Sequence, residues 1–438
     1  MESVGAQRLE RNWDKNDVQY FVTFLADRFY PLNERFARAF EKRFGGVFKP
    51  IYILSGMPNE LFCPENYLIV NRQHRPGKVY LQDYEDQNVE FSTSPKVKKM
   101  LKSLLKKQGR VFVVPFTASH LTVEMPGLTV IAPRADLAKK FDNKIEHIQL
   151  FERLGVSTHS YAIYKNAADL RRHVPHLPAC YLSASFTSGG AEAGFVSGPT
   201  DVEKFIASLR AVNVKAPILA TRIIKDLVLA PNVNAIVLGK DKVELIAIAD
   251  QVLHGNAYLG NIYPSKASKA LHAKMIEATN IVGRYLSRVG YRGLFGIDFL
   301  IDRKGGMYAT DLNPRRQGGY FCNVLMSKKI DLVDLEVAVA LGEKVPAVTM
   351  KDFQCAFAWG HSKIKPHGKG RKIKKVFKNG DAEDPFHEVG AEFSGIFYEK
   401  DSVVESGSVG YYVVSGKSRS IVEKKTEAVP EQILKRVF

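Results

Sequence analysis

Between Gly296 and Arg316 the chain reads Gly-Ile-Asp-Phe-Leu-Ile-Asp-Arg-Lys-Gly-Gly-Met-Tyr-Ala-Thr-Asp-Leu-Asn-Pro-Arg-Arg. Two runs of strand-forming residues flank the polar break Arg303-Lys-Gly-Gly, so the segment predicts a β-hairpin. The simplest register sets Asp302 opposite Met307, Leu300 opposite Ala309, Asp298 opposite Asp311 and Gly296 opposite Asn313. Side chains alternate across a sheet, which puts Asp298, Leu300, Ala309, Asp311 and Asn313 on one face. Ile297, Phe299, Ile301, Tyr308 and Leu312 then form an apolar face that belongs on a core.

Opposed residues in such a pair have Cβ atoms roughly 4.5–5.5 Å apart, and like charges at that distance destabilise a bare hairpin. Something positive is therefore expected between Asp298 and Asp311. Mg²⁺ suits the place, because it takes one or two protein carboxylates and fills its octahedron with water and phosphate oxygens. Asn313 adds a neutral oxygen, and Asp298, Asp311 and Asn313 form the expected metal set. Pro314 ends the strand and releases Arg315 and Arg316 into a Gly318-Gly319 loop, where forked guanidinium donors can hold phosphate or carboxylate oxygens. Acids on the wet face of a hairpin are also common, and Asp-Leu-Asn-Pro is an ordinary strand end; the whole set in register is what favours a metal.

Gly296-Ile-Asp-Phe, the glycine turn and Tyr308-Ala-Thr-Asp-Leu-Asn-Pro-Arg resemble the C-terminal signature of the ATP-grasp superfamily. The resemblance implies that Asp298, Asp311 and Asn313 bind Mg-ATP, that Arg315 stabilises the transferred phosphoryl group or acylphosphate, and that Leu300 packs on adenine. Upstream, Asn143-Lys-Ile-Glu-His-Ile-Gln-Leu-Phe-Glu-Arg-Leu-Gly-Val resembles the start of the ATP-grasp module. Lys144 stands there at the position of a lysine that reaches the nucleotide phosphates. Pro217-Ile-Leu-Ala-Thr-Arg-Ile-Ile-Lys-Asp looks like the hinge between the two lobes, which makes Thr221, Arg222, Ile223 and Ile224 the adenine-edge candidates. Cys180-Tyr-Leu-Ser-Ala-Ser-Phe reads as a strand entering a small-residue loop, Thr187-Ser-Gly-Gly-Ala-Glu-Ala-Gly, whose amides at Ser188, Gly189 and Gly190 could close over phosphates. Here the chain departs from the family pattern. Ser183 stands where a second lysine is usual, and Glu192 lies in the loop, so either Arg222 or Lys225 substitutes as cation or nucleotide turnover is impaired.

Composition admits such an enzyme. At 438 residues, 45% hydrophobic and 25% charged, the chain suits two or three globular domains. Cys63, Cys180, Cys322 and Cys355 show no Cys-x-x-Cys spacing, which argues against a zinc cluster or disulfide framework and for a reducing, cytoplasmic setting. The charged N-terminus lacks a signal-peptide pattern, and no run reaches the ~18 apolar residues of a membrane span. The net charge of +17 favours acidic partners. One source is Lys96–Lys107, where Val97, Met100, Leu101, Leu104 and Leu105 follow helical spacing and leave the lysines on a solvated face. Another is Lys363–Lys378, a glycine-broken basic stretch without the interleaved aromatics of a nucleic-acid platform. Small-molecule or peptide substrates are therefore expected rather than nucleic acid, and a homodimer is compatible with the sequence.

Along the chain, aromatic and apolar spacing from about Asp14 to Phe44 suggests a helical preface ended by Gly45-Gly46. Strand-like runs follow at Pro50–Ser55, Lys78–Asp83, Arg110–Thr117 and Thr129–Ala132, which suggest a small α/β sheet. A helix is expected over Asp142–Leu154, another near Asp201–Val212, a hairpin turning at Gly239-Lys-Asp-Lys, and a helix capped by Ser265 or Ser268 and stopped at Gly290. Polar residues between core elements, His254, Asn256 and Asn261, join Arg316 as substrate-side candidates, although such residues also satisfy turns. From Ala347 the runs Phe353–Gly360, Gly395–Glu399 and Gly410–Ser415 read as a small β domain with a short last helix near Pro430. The expected fold class is α/β with α+β lobes: an α/β preface (1–135), ATP-grasp lobes (136–346) and a β-rich C-terminal domain (347–438).

This order resembles the amino-acid and peptide ligases of the superfamily, including the pheganomycin-type peptide ligases. The chemistry implied is ATP- and Mg²⁺-dependent (or Mn²⁺-dependent) activation of a carboxylate as an acylphosphate, followed by attack of an amine. A bicarbonate-activating carboxylase and a non-catalytic nucleotide-responsive binding protein are the alternatives.

Overall fold

The computed structural model describes residues 7–8, 18–25, 29, 31–54, 65–70, 81–186, 193–211, 217–254, 257–345, 353, 355–364, 370–376, 393–396, 400–405 and 407–438. The N-terminal part is an open sheet. Its elements are β1 (Gln7–Arg8), β2 (Val18–Thr23), α1 (Pro31–Phe44), β3 (Val47–Leu54), β4 (Tyr67–Ile69), α2 (Leu81–Thr93), α3 (Pro95–Gln108), β5 (Val111–Val114) and β6 (Leu128–Val130). The order is β1-β4-β3-β2-β5-β6, parallel except for β1. Strand order reverses between β2 and β5, and in open α/β sheets ligands bind in the crevice outside the carboxyl ends of the strands at such a switch point.

Two sequence expectations fail here. The stretch from Asp14 is not all helix, because Val18–Thr23 is a central strand whose Tyr20, Phe21 and Val22 are all buried. A strand covered on both faces carries a continuous apolar run, which periodicity does not separate from a buried helix. Conversely, the run expected as a strand at Lys78–Asp83 gives way at Leu81 to α2, whose Glu85, Asn88 and Ser92 line one buried stripe. The lysine-rich segment is the amphipathic helix expected: Ser94 caps it, Val97, Met100, Leu101 and Leu104 are buried, and Gly109 ends it at φ 72°.

Next come α4 (Ala135–Phe141) and α5 (Lys144–Arg153), separated only by Asp142 and by Asn143, whose side chain accepts from the backbone N–H of Ile145 and Glu146 as N-cap. A 4-stranded antiparallel sheet follows, built from β7 (Tyr161–Tyr164), α6 (Ala167–His173), β8 (Cys180–Ala184), β9 (Ala193–Val196), α7 (Pro199–Ala211) and β10 (Ile218–Arg222), in the order β7-β10-β8-β9. Leu170, Val202 and Ile206 of the helices cover one face together with Cys180, Leu182 and Ala184.

The largest sheet has nine strands: β11 (Leu227–Leu229), β12 (Pro231–Gly239), β13 (Lys242–His254), β14 (Ala257–Tyr263), β15 (Gly293–Asp302), β16 (Met307–Asn313), β17 (Ala356–Ile364), β19 (Phe393–Ile396) and β21 (Gly407–Gly416). Helix α8 (Lys269–Arg288), capped by Ser268, packs on one side, and α9 (Tyr320–Met326) and α10 (Leu332–Ala340) lie on the other. Strand β17 pairs with β14, so the C-terminal strands extend this sheet. Phe29, Phe36, Phe40 and Phe112 of the N-terminal part share one core with Leu294, Phe321, Trp359 and Val413.

The basic stretch beyond Ile364 is held by backbone where it is described. Arg371–Lys372 forms β18, paired with β20 (Val403–Val404), and the backbone N–H of Lys374 and Lys375 donates to Val437 O at 2.7 and 3.2 Å. The last helix, α11 (Arg419–Val437), begins eleven residues before the expected start and carries Pro430 inside it. Burial of Val422, Val429, Ile433 and Val437 outweighs the lost backbone bond. A proline at 430 leaves the carbonyl of Thr426 without its helical donor, and Tyr412 Oη donates to that oxygen at 3.4 Å. Tyr412→Phe is accordingly expected to lower stability by about 1 kcal/mol, read as a reduced urea midpoint at unchanged slope; an unaltered midpoint would remove Tyr412 from this role.

Candidate active site around the β15–β16 hairpin

The hairpin pairs Gly296 with Asn313 and Asp298 with Asp311, the expected register at the acids. Beyond them a bulge at Thr310, whose hydroxyl donates to Asp298 O at 3.2 Å, shifts the ladder by one residue. Leu300 therefore faces Tyr308 rather than Ala309. The two exchange faces relative to expectation: Ala309 is fully buried in the core with Ile297, Phe299 and Leu312, whereas Tyr308 lies on the acid side and stacks on His159 at 6.3 Å between centroids. A bulge inserts a residue without changing composition, so alternation alone does not reveal it. Gly296 is required by a close approach, since a Cβ there would lie 1.8 Å from Gln317 Oε1.

The opposed acids are stabilised differently. Lys144 Nζ hydrogen-bonds Asp311 Oδ1, and His147 Nε2 lies 3.3 Å from the same oxygen. His147 Nδ1 accepts the Leu312 backbone N–H at 3.3 Å, which leaves Nε2 to carry a proton toward Asp311. Burial pushes the Asp311 carboxyl up, but Lys144 and then His147 outweigh it and hold the group far below the usual carboxylate range. Burial alone would lower Lys144, yet Asp311 more than offsets it and the ammonium is strengthened. Among the described residues no Lys, Arg or His side chain forms an ion pair with Asp298. Its oxygens accept from Asn232 Nδ2 and, at 3.3 Å, from Asn313 Nδ2, while Asn234 Nδ2 donates to Asn232 Oδ1 at 2.7 Å. Burial, and next the Asp311 charge, push Asp298 up to about 6.

Arg315 and Arg316 diverge. Arg315 Nη2 donates to Asn313 Oδ1 at 2.8 Å, its Nε lies 3.7 Å from Asp142 Oδ2, and its guanidinium sits 5.7 Å from the Phe116 ring centroid. Arg316 is 2% exposed. It donates to the carbonyls of Pro115 and, at 3.0 Å, Ile131, and pairs with Glu336 at 2.5 Å. The substrate-side expectation for Arg316 is corrected: the residue fastens the hairpin loop to the N-terminal sheet and α10. Beside Arg315, Glu85 of α2 is 4% exposed and accepts from Ser119 Oγ at 2.8 Å. Burial, and then the charge of Asp142, push Glu85 up to about 7.

The remaining candidates are placed as follows. Ser183 is buried on β8, on the side that Tyr181 shares, with Leu219 and Thr221 opposite them on β10. Arg222 and Lys225 are exposed at and just past the end of β10, and half-buried Ile223 and Ile224 join β10 to β11. Leu300 is half-buried two residues along β15 from Asp298. Ser188, Gly189, Gly190, Glu192 and Asn256 lie outside the described residues. His254 is exposed at the end of β13, and Asn261 Oδ1 accepts from Tyr258 Oη and, at 3.2 Å, from Trp359 Nε1 rather than joining the acid cluster. Sequence reasoning missed Glu85, Asp142, His147, Asn232, Asn234 and Gln317. Only the Asn-x-Asn alternation on β12 carried a readable signal, period two on the face that Asn232 shares with its ladder partner Asp298.

The donor set fits a hard divalent cation. It is all oxygen, carries two carboxylates that repel one another, and keeps 33% of the Asp311 side chain exposed. Among the described residues no group of three or more His, Cys, Asp and Glu side chains stands ready to hold a metal by itself. An ion here would therefore draw most of its ligands from elsewhere, as Mg²⁺ does.

The acid beside Arg315 gives a testable sign. A carboxyl whose folded value is raised contributes stability below its ordinary value, near 4.5 for Glu85, and loses it as pH rises through about 7. Glu85→Gln removes that loss. The variant is expected to be more stable than the parent at about pH 8, by on the order of 2–3 kcal/mol, with the gap closing near pH 5; urea midpoints at the two pH values that differ equally from the parent's would refute the assignment.

Comparison with known proteins follows the same lines. No protein-family model matches the chain. An L-propargylglycine–L-glutamate ligase of Streptantibioticus cattleyicolor is 36% identical over 76 residues, which cover 17% of this chain and 15% of that protein. Among solved structures, the biotin carboxylase domain of the Hydrogenobacter thermophilus 2-oxoglutarate carboxylase, in complex with MgADP, ADP and bicarbonate, superposes with a TM-score of 0.67 at 15% identity, covering 94% of this chain and 89% of that one. Biotin carboxylase from Campylobacter jejuni gives 0.67 at 13% identity, over 96% and 91%. N5-carboxyaminoimidazole synthetase from Staphylococcus aureus gives 0.60 at 13%, over 94% and 97%. Likeness at this identity shows the fold.

Proposed function

We propose that this chain, whose fold is that of the ATP-grasp enzymes, is an ATP-dependent carboxylate–amine ligase that activates a carboxylate as an acylphosphate and joins it to an amine. The observation that carries the reading is the convergence of Asp298, Asp311, Asn313, Lys144 and Arg315 in one bonded network on the β15–β16 hairpin. The partial match to a ligase supports the reaction class. In this reading residues 1–135 supply a substrate-facing preface, 136–346 the nucleotide-binding lobes and 347–438 the β-rich extension.

Asp298, Asp311 and Asn313 would hold Mg²⁺, which when bound offsets the charge of the nucleotide phosphates. Lys144, which now neutralises Asp311, is then free to turn to a phosphate oxygen. Arg315, tethered through Asn313, steadies the phosphoryl group while the substrate carboxylate attacks the γ-phosphorus and ADP leaves. Backbone groups of Thr221–Ile224 take the adenine edge, and Leu300 packs beside it. Catalysis of phosphoryl transfer is mostly positioning and electrostatic stabilisation. The amine then attacks the acyl carbon, the amide forms and phosphate departs.

The test is Mg²⁺-dependent ADP release across a panel of carboxylates, L-glutamate among them, paired with amino-acid and peptide amines. A carboxylate–amine pair that stimulates release is expected, and Asp311→Asn should cut it on the order of 100-fold or more. ADP release driven by bicarbonate without an amine would favour the carboxylase alternative, and nucleotide binding with no stimulated release would end the ligase reading.

A further inference from the structure

A guanidinium carries five N–H donors on a long, rotatable stem. Among the described residues Arg315 uses few of them on the protein: Nη2 donates to Asn313 Oδ1 at 2.8 Å, and Nε has no hydrogen-bond partner. Its direction therefore depends on how its backbone and the flat face of its guanidinium are held. The face lies 5.7 Å from the Phe116 ring centroid. On one side the backbone is fixed by Asn313, which is in the ladder with Gly296, and by Pro314, whose ring locks φ. On the other side stands Arg316.

Arg316 and Glu336 are 2% and 3% exposed. The Arg316 fork reaches three elements at once. Nη1 donates to Pro115 O at the exit of β5, and Nη2 donates to Ile131 O after β6 at 3.0 Å and lies 2.5 Å from Glu336 Oε1 of α10. The guanidinium also lies 5.3 Å from the Phe36 ring centroid, and Glu336 Oε2 accepts from Tyr320 Oη at 3.2 Å. Stability alone does not call for this arrangement, because apolar residues of similar volume often hold such a place as well as a buried ion pair does. What a planar fork adds is register, since its donors match several acceptors in one geometry. Pro115 and Phe116 are consecutive. The backbone that accepts from Arg316 is thus the backbone that presents the ring to Arg315.

We propose that Arg316 and Glu336 are positioning residues for Arg315: by locking the loop after β16 to the exits of β5 and β6, they hold the Arg315 guanidinium against Phe116 and aim it at the phosphoryl group in transfer. The proposal rests on the ligase reading, in which Arg315 acts on that group, and deepens it by naming what aims it. Arg316 and Glu336 act through Arg315 alone. An interaction made only in the transition state lowers kcat when it is lost and leaves KM for ATP in place, and a displacement of about 1 Å at such a group is felt strongly.

Two variants of the full chain test it. Arg316→Lys keeps a cation opposite Glu336 but gives up the fork, and the paired change Arg316→Met with Glu336→Leu fills the same place with apolar groups; a urea transition certifies the fold of each. ADP release is measured with Mg-ATP, the L-amino acids and hydroxylamine, which captures an acylphosphate. The expected result is a fall in kcat of roughly 10- to 100-fold with KM for ATP within about twofold. In an Arg315→Lys background neither change should lower kcat further. Wild-type kcat in the folded paired variant overturns the proposal and leaves the ion pair a scaffold; so does an equal loss in the Arg315→Lys background, which would place the pair elsewhere in the reaction. The heteronuclear NOE of the Arg315 Nε–H, identified as the signal that Arg315→Lys removes, reads the positioning without turnover. It is expected to drop in both variants, and an unchanged value overturns the proposal. If the wild-type enzyme releases no ADP with any carboxylate while this NOE drops, the ligase reading fails and the positioning of Arg315 stands.

Discussion

Two carboxylates held face to face across a hairpin are the constraint around which the rest of the molecule is arranged. Asp298 and Asp311 would push the strands apart if left bare, and the chain meets them with unlike devices. Asp311 receives a lysine and a histidine from one turn of α5, and Asp298 receives, among the described residues, neutral amides from β12 and β16. The asymmetry leaves Asp311 firmly ionised, whereas Asp298, pushed up to about 6, is the acid that takes up a proton first as pH falls.

The supports of that pair reach through the whole fold. Helix α5 is pinned at its start by the Lys144 backbone N–H, which donates to Ser185 O at 2.7 Å and so ties the small sheet to the site. Arg316 bolts the loop after β16 to carbonyls of the N-terminal sheet and to Glu336 of α10. Consecutive arginines therefore serve opposite ends: Arg315 is bonded to Asn313 of the hairpin and Arg316 to the surrounding architecture. Their neighbour Gln317 fills the space that Gly296 leaves open.

How much of this was legible follows from which interactions are local. The hairpin, its turn and the facing of Asp298 and Asp311 depend on period-two alternation and a glycine break, both written in adjacent residues. The bulge at Thr310 was not legible, since one inserted residue leaves the pattern intact on either side and only the ladder shows Tyr308 and Ala309 exchanged. The strand at Val18–Thr23 was hidden for another reason: it is buried on both faces and has no polar side to set its period. Helix α11 ran past a proline because its broken bond is compensated by Tyr412, which is distant in sequence. Glu85 and Asp142 fall in the same class. Each reads alone as an ordinary surface acid, and only the tertiary fold buries them.

The α4–α5 junction is two residues long, and its shortness matters. Asp142 closes α4 and faces Arg315; Asn143 caps α5; Lys144 reaches Asp311. The residue that meets Arg315 and the residue that neutralises Asp311 are thus mounted on one corner of the chain. Because the three residues are consecutive, the Asp142–Arg315 contact and the Lys144–Asp311 bond share one short stretch of backbone, and a substitution that shifts that stretch disturbs both.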